Sequence, residues 1–139
     1  MRFLALPALI GTLASSFVLA QASSDPTYVV YGNDQQFEDA SASVDTLTCG
    51  PVLSAEGYAT IGSISGNLAG FANVTSAESP LCGQCVVLGW QGRDVTVRIV
   101  DTSSEGGFVV TGETYEELVG SPIVPGIYQA QIVEGPYSC

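Results

Sequence analysis

The chain has 139 residues and a formal net charge of −11 at pH 7, with 14 acidic side chains against 3 basic ones. Such a surface is a poor partner for nucleic acid or anionic membranes, because phosphate binding depends on Lys and Arg to displace counterions. The sequence contains no His and no Lys, which excludes the usual metal ligand, the Ser-His and Cys-His nucleophile systems and Schiff-base chemistry. Carboxylates are the acid/base groups that remain, and a glycosidase needs two of them beside the scissile bond.

The N-terminal segment has the layout of a secretory signal peptide. Arg2 gives a positive start, and the apolar run that follows, up to Ala20, carries no charge. Small residues close this run and predict cleavage after Ala20 or Ala22. The alternative is a retained anchor, but no basic stop-transfer residue follows the run. The sequence therefore predicts a signal peptide over residues 1–20 and a single secreted domain over residues 21–139, with no membrane span in the mature protein.

The mature chain is predicted to be mostly β-structure. A four-residue turn, Gln91-Gly92-Arg93-Asp94, carries the glycine that a tight hairpin needs. Within one segment apolar and polar residues alternate, which is typical of a half-buried strand. Together the segments can close a small sheet or barrel. The predicted strands run from Tyr28 to Tyr31, Val86 to Trp90, Val95 to Val100, Phe108 to Val110 and Tyr128 to Val133.

Two short helices are predicted between the strands. One follows Thr111 as N-cap and ends at Gly120, with acidic residues near its positive start. It should turn its apolar residues to the core, namely Tyr115, Leu118 and Val119. The other runs from about Ser43 to Thr48. Between Gly50 and Pro80 no regular period persists, and we expect long loops with short helical or strand turns there.

The cysteines are even in number, which in a secreted chain indicates two disulfides. Three pairings are compatible with the sequence. The element Cys82-Gly83-Gln84-Cys85 resembles a redox motif or one half of a zinc ribbon, but there is one such element rather than two, and a strand rather than a helix follows it. We expect structural disulfides and neither a metal nor another cofactor. The cysteines are Cys49, Cys82, Cys85 and Cys139.

Asp101 is the leading candidate for a functional residue. It ends a strong strand and precedes a polar stretch that begins with Thr102 and contains two glycines, a position at which sites are often built. The alternative is that the carboxylate caps the loop by accepting backbone hydrogen bonds, as Asp commonly does in turns. Both roles are compatible with the sequence. Tyr31, Tyr58 and Trp90 are aromatic residues that can stack on sugar rings or pack in the core.

These residues together resemble the cerato-platanin family of small secreted fungal proteins. The resemblance covers nearly the whole mature chain and depends on the order and spacing of several short motifs. Cys49 and Cys139 fall where the first and last cysteines of the family lie. The matching segments are Val29-Val30-Tyr31, Phe37-Glu38-Asp39-Ala40-Ser41, Gly57 to Ile64, Cys82-Gly83-Gln84-Cys85, the strand Val97 to Asp101, and Gly107-Phe108.

The resemblance implies a six-stranded double-psi β-barrel related to the expansin domain, stapled by disulfides Cys49–Cys82 and Cys85–Cys139. It also implies a non-enzymatic protein of the fungal wall or medium that binds chitin-type N-acetylglucosamine oligomers in a shallow groove. Plants recognise members of this family as elicitors, which implies a plant surface receptor as a partner, and members self-associate at interfaces. The implied ligand-binding residues are Asp101, Tyr31, Thr102 and Tyr58.

Three departures from the family pattern fall near the expected groove and predict weakened or altered sugar binding. They are Gly32 in place of Asp, Val109 in place of Asn, and a loop after Asp101 that is one residue longer. Two alternative functions remain open. One is a surface-active coat protein. The other is a weak hydrolase or expansin-like protein in which Asp101 works with a second carboxylate, for which the candidates are Asp94, Glu105 and Asp39.

Asn73-Val74-Thr75 forms a sequon for N-linked glycosylation within the predicted loop region. Such sequons also occur by chance, so the sequence marks Asn73 as a candidate acceptor without deciding its use.

Overall fold

The computed structural model describes residues 26–31, 35–120 and 127–139. The predicted signal peptide, its cleavage positions and Gly32 lie outside the described residues. The fold is mainly β with two short helices, as predicted. None of the helices in the described ranges has the length and apolar character that a membrane crossing requires. The elements are β1 (Pro26–Tyr31), α1 (Gly50–Ala55), β2 (Asn67–Phe71), β3 (Gln84–Trp90), β4 (Arg93–Asp101), β5 (Phe108–Val110), α2 (Gly112–Val119) and β6 (Ile127–Ser138).

The strands are hydrogen-bonded in the order β1-β5-β2-β4-β3-β6, and β6 pairs in turn with β1. β1 and β5 run parallel, as do β2 and β4, while the other neighbours are antiparallel. The hydrophobic core lies on the side that these strands enclose. On β4 the inward residues Val95, Val97 and Ile99 are almost completely buried, whereas Asp94 and Thr96 on the alternate face are exposed. The predicted alternation therefore holds in the first half of the strand, but beyond Thr96 both faces are buried, with Arg98 8% and Val100 0% exposed.

The β3–β4 hairpin turns over two residues rather than the four that the sequence indicated. Trp90 pairs with Arg93, and the two residues between them, Gln91 and Gly92, have φ angles of 47° and 80°. Two successive positive φ angles are the signature of the type I′ turn, whose twist matches that of the flanking strands. Arg93 and Asp94 consequently belong to β4.

The sequence interpretation missed β2, which was expected to be loop. This strand contains Ala69 and Gly70, which have little intrinsic preference for β-structure. Packing requires a residue without a side chain at position 70, because a Cβ on Gly70 would overlap the backbone carbonyl of Thr102. β2 is held instead by its two neighbours, β4 on one side and β5 on the other.

The first predicted helix is largely wrong. Within its range the structure forms a 3-10 turn, Val44–Thr46, capped by the Ser43 hydroxyl, which accepts a hydrogen bond from the Asp45 amide. The α-helix of this region is α1, which begins later and has Pro51 in its first turn, where the missing N–H leaves no intrahelical bond unmade.

The second predicted helix is confirmed. The Thr111 hydroxyl accepts a hydrogen bond from the Thr114 amide at the start of α2, and Gly120 ends the helix with a φ of 93°. Tyr115 and Leu118 are fully buried in the core.

Both disulfides have the pairing that the family resemblance implies. Cys49–Cys82 and Cys85–Cys139 each join α-carbons 5.2 Å apart. The first ties the start of α1 to the segment before β3, and the second ties β3 to the C-terminal residue. For loops of 33 and 54 residues, the chain-entropy relation gives about 4 kcal/mol of stabilisation for each bond.

Candidate functional site

Asp101 lies at the end of β4, and one of its oxygens is fixed by three donors. Its Oδ1 accepts hydrogen bonds from the Thr48 amide at 2.9 Å, the Thr48 hydroxyl at 2.5 Å and the Thr102 amide at 2.8 Å. Asp101 as a whole residue is 9% exposed. Asp101 thus holds the segment before α1 to the end of β4, and the bond from the Thr102 amide is the local loop contact of the kind that the capping interpretation describes.

The second oxygen of Asp101 is left for solvent or a ligand. No hydrogen bond within the described ranges uses Oδ2, and no buried side-chain oxygen in those ranges lacks a partner. Oδ2 therefore keeps some contact with solvent, although Asp101 as a whole is 9% exposed. A carboxylate that is fixed at one oxygen and accessible at the other can accept a hydrogen bond from a ligand hydroxyl without losing further rotational freedom.

Thr102 lies beside this carboxylate, whereas the Tyr31 backbone lies three strands away across the sheet. Thr102 follows Asp101 and is exposed. Across the strands Asp101 pairs with Gly70, Gly70 with Val109, and Val109 with the residue before Tyr31. Three strand spacings separate the backbones, at most about 14 Å. The Tyr31 side chain itself lies outside the described part of the structure. Val109 is 5% exposed, so its substitution for Asn changes the core beneath this end rather than the surface.

Tyr58 is engaged in a different cluster, centred on Arg98. The Tyr58 hydroxyl accepts a hydrogen bond from Arg98 Nη1 at 2.8 Å, and the guanidinium carbon lies 4.9 Å from the ring centroid. Arg98 also donates to the Gly83 carbonyl at 3.2 Å and to Glu56 at 2.5 Å. Because the cation of Arg98 covers the ring, Tyr58 has a packing role in the structure, and no hydrogen bond of the described residues joins it to Asp101.

Trp90 also packs within the fold. Its ring meets that of Tyr128 edge to face, with centroids 5.2 Å apart. It ends β3 beside Arg93, at the opposite end of β4 from Asp101, and so does not border the Asp101 carboxylate.

Of the candidate second carboxylates, Asp94 lies far from Asp101, while Asp39 and Glu105 have hydrogen-bond partners close in sequence. Asp94 is seven residues away on the same strand, about 23 Å at the usual rise per residue. Asp39 accepts hydrogen bonds from the Ser41 hydroxyl at 2.6 Å and amide at 3.0 Å, which hold the pKa of its carboxyl below the ordinary value. Glu105 lies in an exposed loop beside Ser104. The described residues contain no group of acidic and sulfur ligands arranged to hold a metal ion.

A cleft of about 360 Å³ lies at the other end of the β2–β4 pair, and the sequence did not reveal it. The cleft is lined from the outer face of β4 by Asp94, Thr96 and Arg98. These residues alternate along the strand, so the sequence could have shown that they share one face. Asn67 closes the cleft by donating from Nδ2 to Glu117 Oε2 at 3.1 Å. That contact spans 50 residues of sequence, so no local pattern could have shown it. Thr48, the partner of Asp101 across 53 residues, was missed for the same reason.

Comparison with known proteins found one matching family profile and several solved structures with a similar fold. The cerato-platanin profile matches residues 29–134. Cerato-platanin 3 from M. perniciosa superimposes with a TM-score of 0.66 at 24% identity, over 76% of this chain and 90% of that one. Cerato-platanin 2 from the same organism superimposes with a TM-score of 0.63 at 22% identity, over 78% of this chain and 95% of that one.

The solution structure of the fungal elicitor cerato-platanin gives a TM-score of 0.57 at 21% identity, over 76% of this chain and 91% of that one. No curated protein matches the sequence at a significant level. The solved structures share the fold, and the profile covers most of the chain. The chain therefore belongs to the cerato-platanin family.

Proposed function

We propose that this protein is a secreted, non-catalytic carbohydrate-binding protein of the fungal wall or medium, and that it binds chitin-type N-acetylglucosamine oligomers at the Asp101 end of the sheet. The observation that carries the proposal is the state of the Asp101 carboxylate, with Oδ1 fixed by three donors and Oδ2 accessible. Secretion fits the two disulfides, since such bonds persist in oxidising compartments. The family membership and a relative described as a fungal elicitor support a role in eliciting plant defence.

A neutral sugar is the ligand class that this surface suits. Its hydroxyl and N-acetyl N–H groups donate hydrogen bonds, and the accessible oxygen of Asp101 is an acceptor. The exposed hydroxyl of Thr102 can donate or accept beside it. The chain carries a net charge of −11, which disfavours anionic polysaccharides.

The spacing of the carboxylates supports a non-catalytic role. Glycosidases place two carboxyl groups within about 5 to 9.5 Å of each other. Asp94 lies far beyond that range from Asp101, which removes one of the three candidate partner carboxylates. Two parallel strand pairs in the strand order support the double-psi relationship to expansins, so non-hydrolytic loosening of a polysaccharide remains the nearest alternative.

The distribution of apolar surface favours sugar binding over a coat-forming role. Among the described side chains, Val133 is the large hydrophobic one that is exposed, at 49%. A protein that assembles into films through apolar contacts would be expected to present a contiguous patch. Two further proposals, binding to a plant surface receptor and self-association, are supported only by membership of the family.

The test is retention of the purified mature protein on insoluble chitin and cellulose, with released sugar measured in the supernatant. Asp101→Asn keeps the shape and removes the charged acceptor. Asp94→Asn is the matched control, with the same chemical change on an exposed residue of the same strand. We expect retention on chitin that falls with Asp101→Asn alone, and no released sugar.

Three results would contradict the proposal. They are no retention of the wild type on chitin, equal retention of the Asp101→Asn variant, and release of sugar that disappears in that variant. The last would identify a hydrolase. An oxidative burst in leaf tissue treated with the protein tests the elicitor role separately.

A further inference from the structure

The sequon at Asn73 lies on an exposed turn that directly follows β2. The Val74 amide donates a hydrogen bond to the Phe71 carbonyl at 2.9 Å, which closes the turn and puts Asn73 at its third position. Val74 is completely buried, whereas Asn73 and Thr75 are exposed. The buried middle residue therefore anchors the turn and presents both recognition residues of the sequon to solvent.

Both side chains are accessible for modification. Neither the Asn73 carboxamide nor the Thr75 hydroxyl makes a hydrogen bond within the described part of the chain, so no contact has to break before an enzyme engages them. The middle residue is Val74 and the next residue is Ser76, so proline, which blocks acceptance in the middle position, is absent.

The turn lies at the same end of the sheet as Asp101. Gly70, three residues before Asn73, pairs with Asp101. The Ala72 amide donates to the Gly107 carbonyl at 3.0 Å, which joins the turn to the far end of the loop that Asp101 begins. The backbones of Asn73 and Asp101 are separated by at most three residues of chain beyond Gly70 and one strand spacing, about 15 Å.

We propose that Asn73 carries an N-linked glycan and that this glycan screens the Asp101 end of the sheet, so that occupancy sets how strongly the protein binds polysaccharide. The donor is a lipid diphosphate oligosaccharide of the secretory pathway. A bond forms between Asn73 Nδ2 and C1 of the first N-acetylglucosamine, the bond from C1 to the diphosphate oxygen breaks, and the lipid diphosphate leaves with the electron pair. The amide proton passes to the transferase or solvent. The screening rests on the function proposed above, whereas the attachment does not.

Attachment is tested by intact mass after secretion from a fungal host, before and after treatment with peptide N-glycosidase. The variants are Asn73→Gln and Thr75→Ala, which destroy the sequon, and Thr75→Ser, which preserves it. We expect the wild type and Thr75→Ser to lose mass on treatment, and the other two to emerge at polypeptide mass. A wild type that already has the mass of the unmodified mature polypeptide would overturn the proposal.

Screening is tested by comparing chitin retention of the glycosylated wild type with that of Asn73→Gln and of the enzymatically deglycosylated wild type. We expect stronger retention of both glycan-free forms, and wild-type retention of Thr75→Ser. Equal retention of glycosylated and glycan-free protein would overturn the screening. If no form binds chitin, the proposed function fails and the screening with it, while the mass measurement still decides attachment.

Discussion

Replacement of Asp101 by alanine removes an oxygen that three hydrogen bonds share, and this makes its structural role measurable apart from any ligand. The amide and hydroxyl of Thr48 and the amide of Thr102 all donate to Oδ1. Asp101→Ala deprives all three donors of their acceptor. Asp101→Asn retains a neutral acceptor of the same shape.

The size of the effect follows from the exposure of the donors. A hydrogen bond to a charged group contributes about 1.5 to 3 kcal/mol when it is independent and buried. Here three donors share one oxygen, Thr48 is half-buried and Thr102 is exposed, so water replaces part of what is lost. We expect Asp101→Ala to lower the free energy of unfolding by about 3 kcal/mol, and Asp101→Asn by about 1 kcal/mol because neutral bonds are roughly half as strong.

The assay is unfolding in urea with both disulfides intact, followed by the fluorescence of the single tryptophan, Trp90. Thr48→Val, which removes the hydroxyl donor alone, should cost about 1 kcal/mol and serves as the internal scale. An Asp101→Ala variant that unfolds within about 0.5 kcal/mol of the wild type would refute the reasoning, since that is the range of an ordinary surface substitution. Equal losses for alanine and asparagine would show that charge, not shape, maintains the contact.

Three further predictions concern other parts of the fold. Arg98→Met should lower the free energy of unfolding in urea by about 2 kcal/mol, less than for a fully buried ion pair because the partner carboxylate is 38% exposed, and a loss above 4 kcal/mol would contradict that. Gly70→Ala should cost about 2 kcal/mol, because the new methyl group must displace the Thr102 carbonyl, and should also weaken chitin retention, whereas unchanged stability would show that no clash exists. Ser41→Ala should raise the pKa of Asp39 towards its ordinary value in an NMR titration. A depressed pKa stabilises the fold above the unfolded-state pKa and loses this effect as pH falls through the folded-state pKa, so the variant should lose less stability on acidification, and an unmoved pKa would rule out the hydroxyl as its cause.

The elements that the sequence predicted well are those in which local pattern and tertiary environment agree. In β4 the alternating apolar residues Val95, Val97 and Ile99 face inward and are buried, although from Val97 onward the other face is buried as well. In α2 the cap at Thr111 and the glycine at position 120 mark both ends by local chemistry. The family motifs added the disulfide pairing, which the cysteine count alone left open.

The elements that were missed are those that depend on distant partners. β2 has a weak strand pattern because the backbone of Thr102 lies so close to Gly70 that only glycine fits at this position. α1 is six residues long, too short to be stable without tertiary packing, so its sequence carries little signal. The contact of Tyr58 with Arg98, which lies 40 residues further along the chain, was likewise not visible in the sequence.

The sequence by itself determined the acidic, histidine-free chemistry of this protein, the alternating strands, the ends of α2 and membership of a family of small disulfide-bonded proteins. These features are set by residue type and by short-range periodicity, which any chain carries in one dimension. Only the tertiary structure decided that Asp101 is fixed at one oxygen and accessible at the other, that Tyr58 packs on a cation, and that Asn73 stands beside the Asp101 end. Each of those depends on which strands become neighbours, and hydrogen bonds between residues some 50 positions apart leave no trace in local sequence.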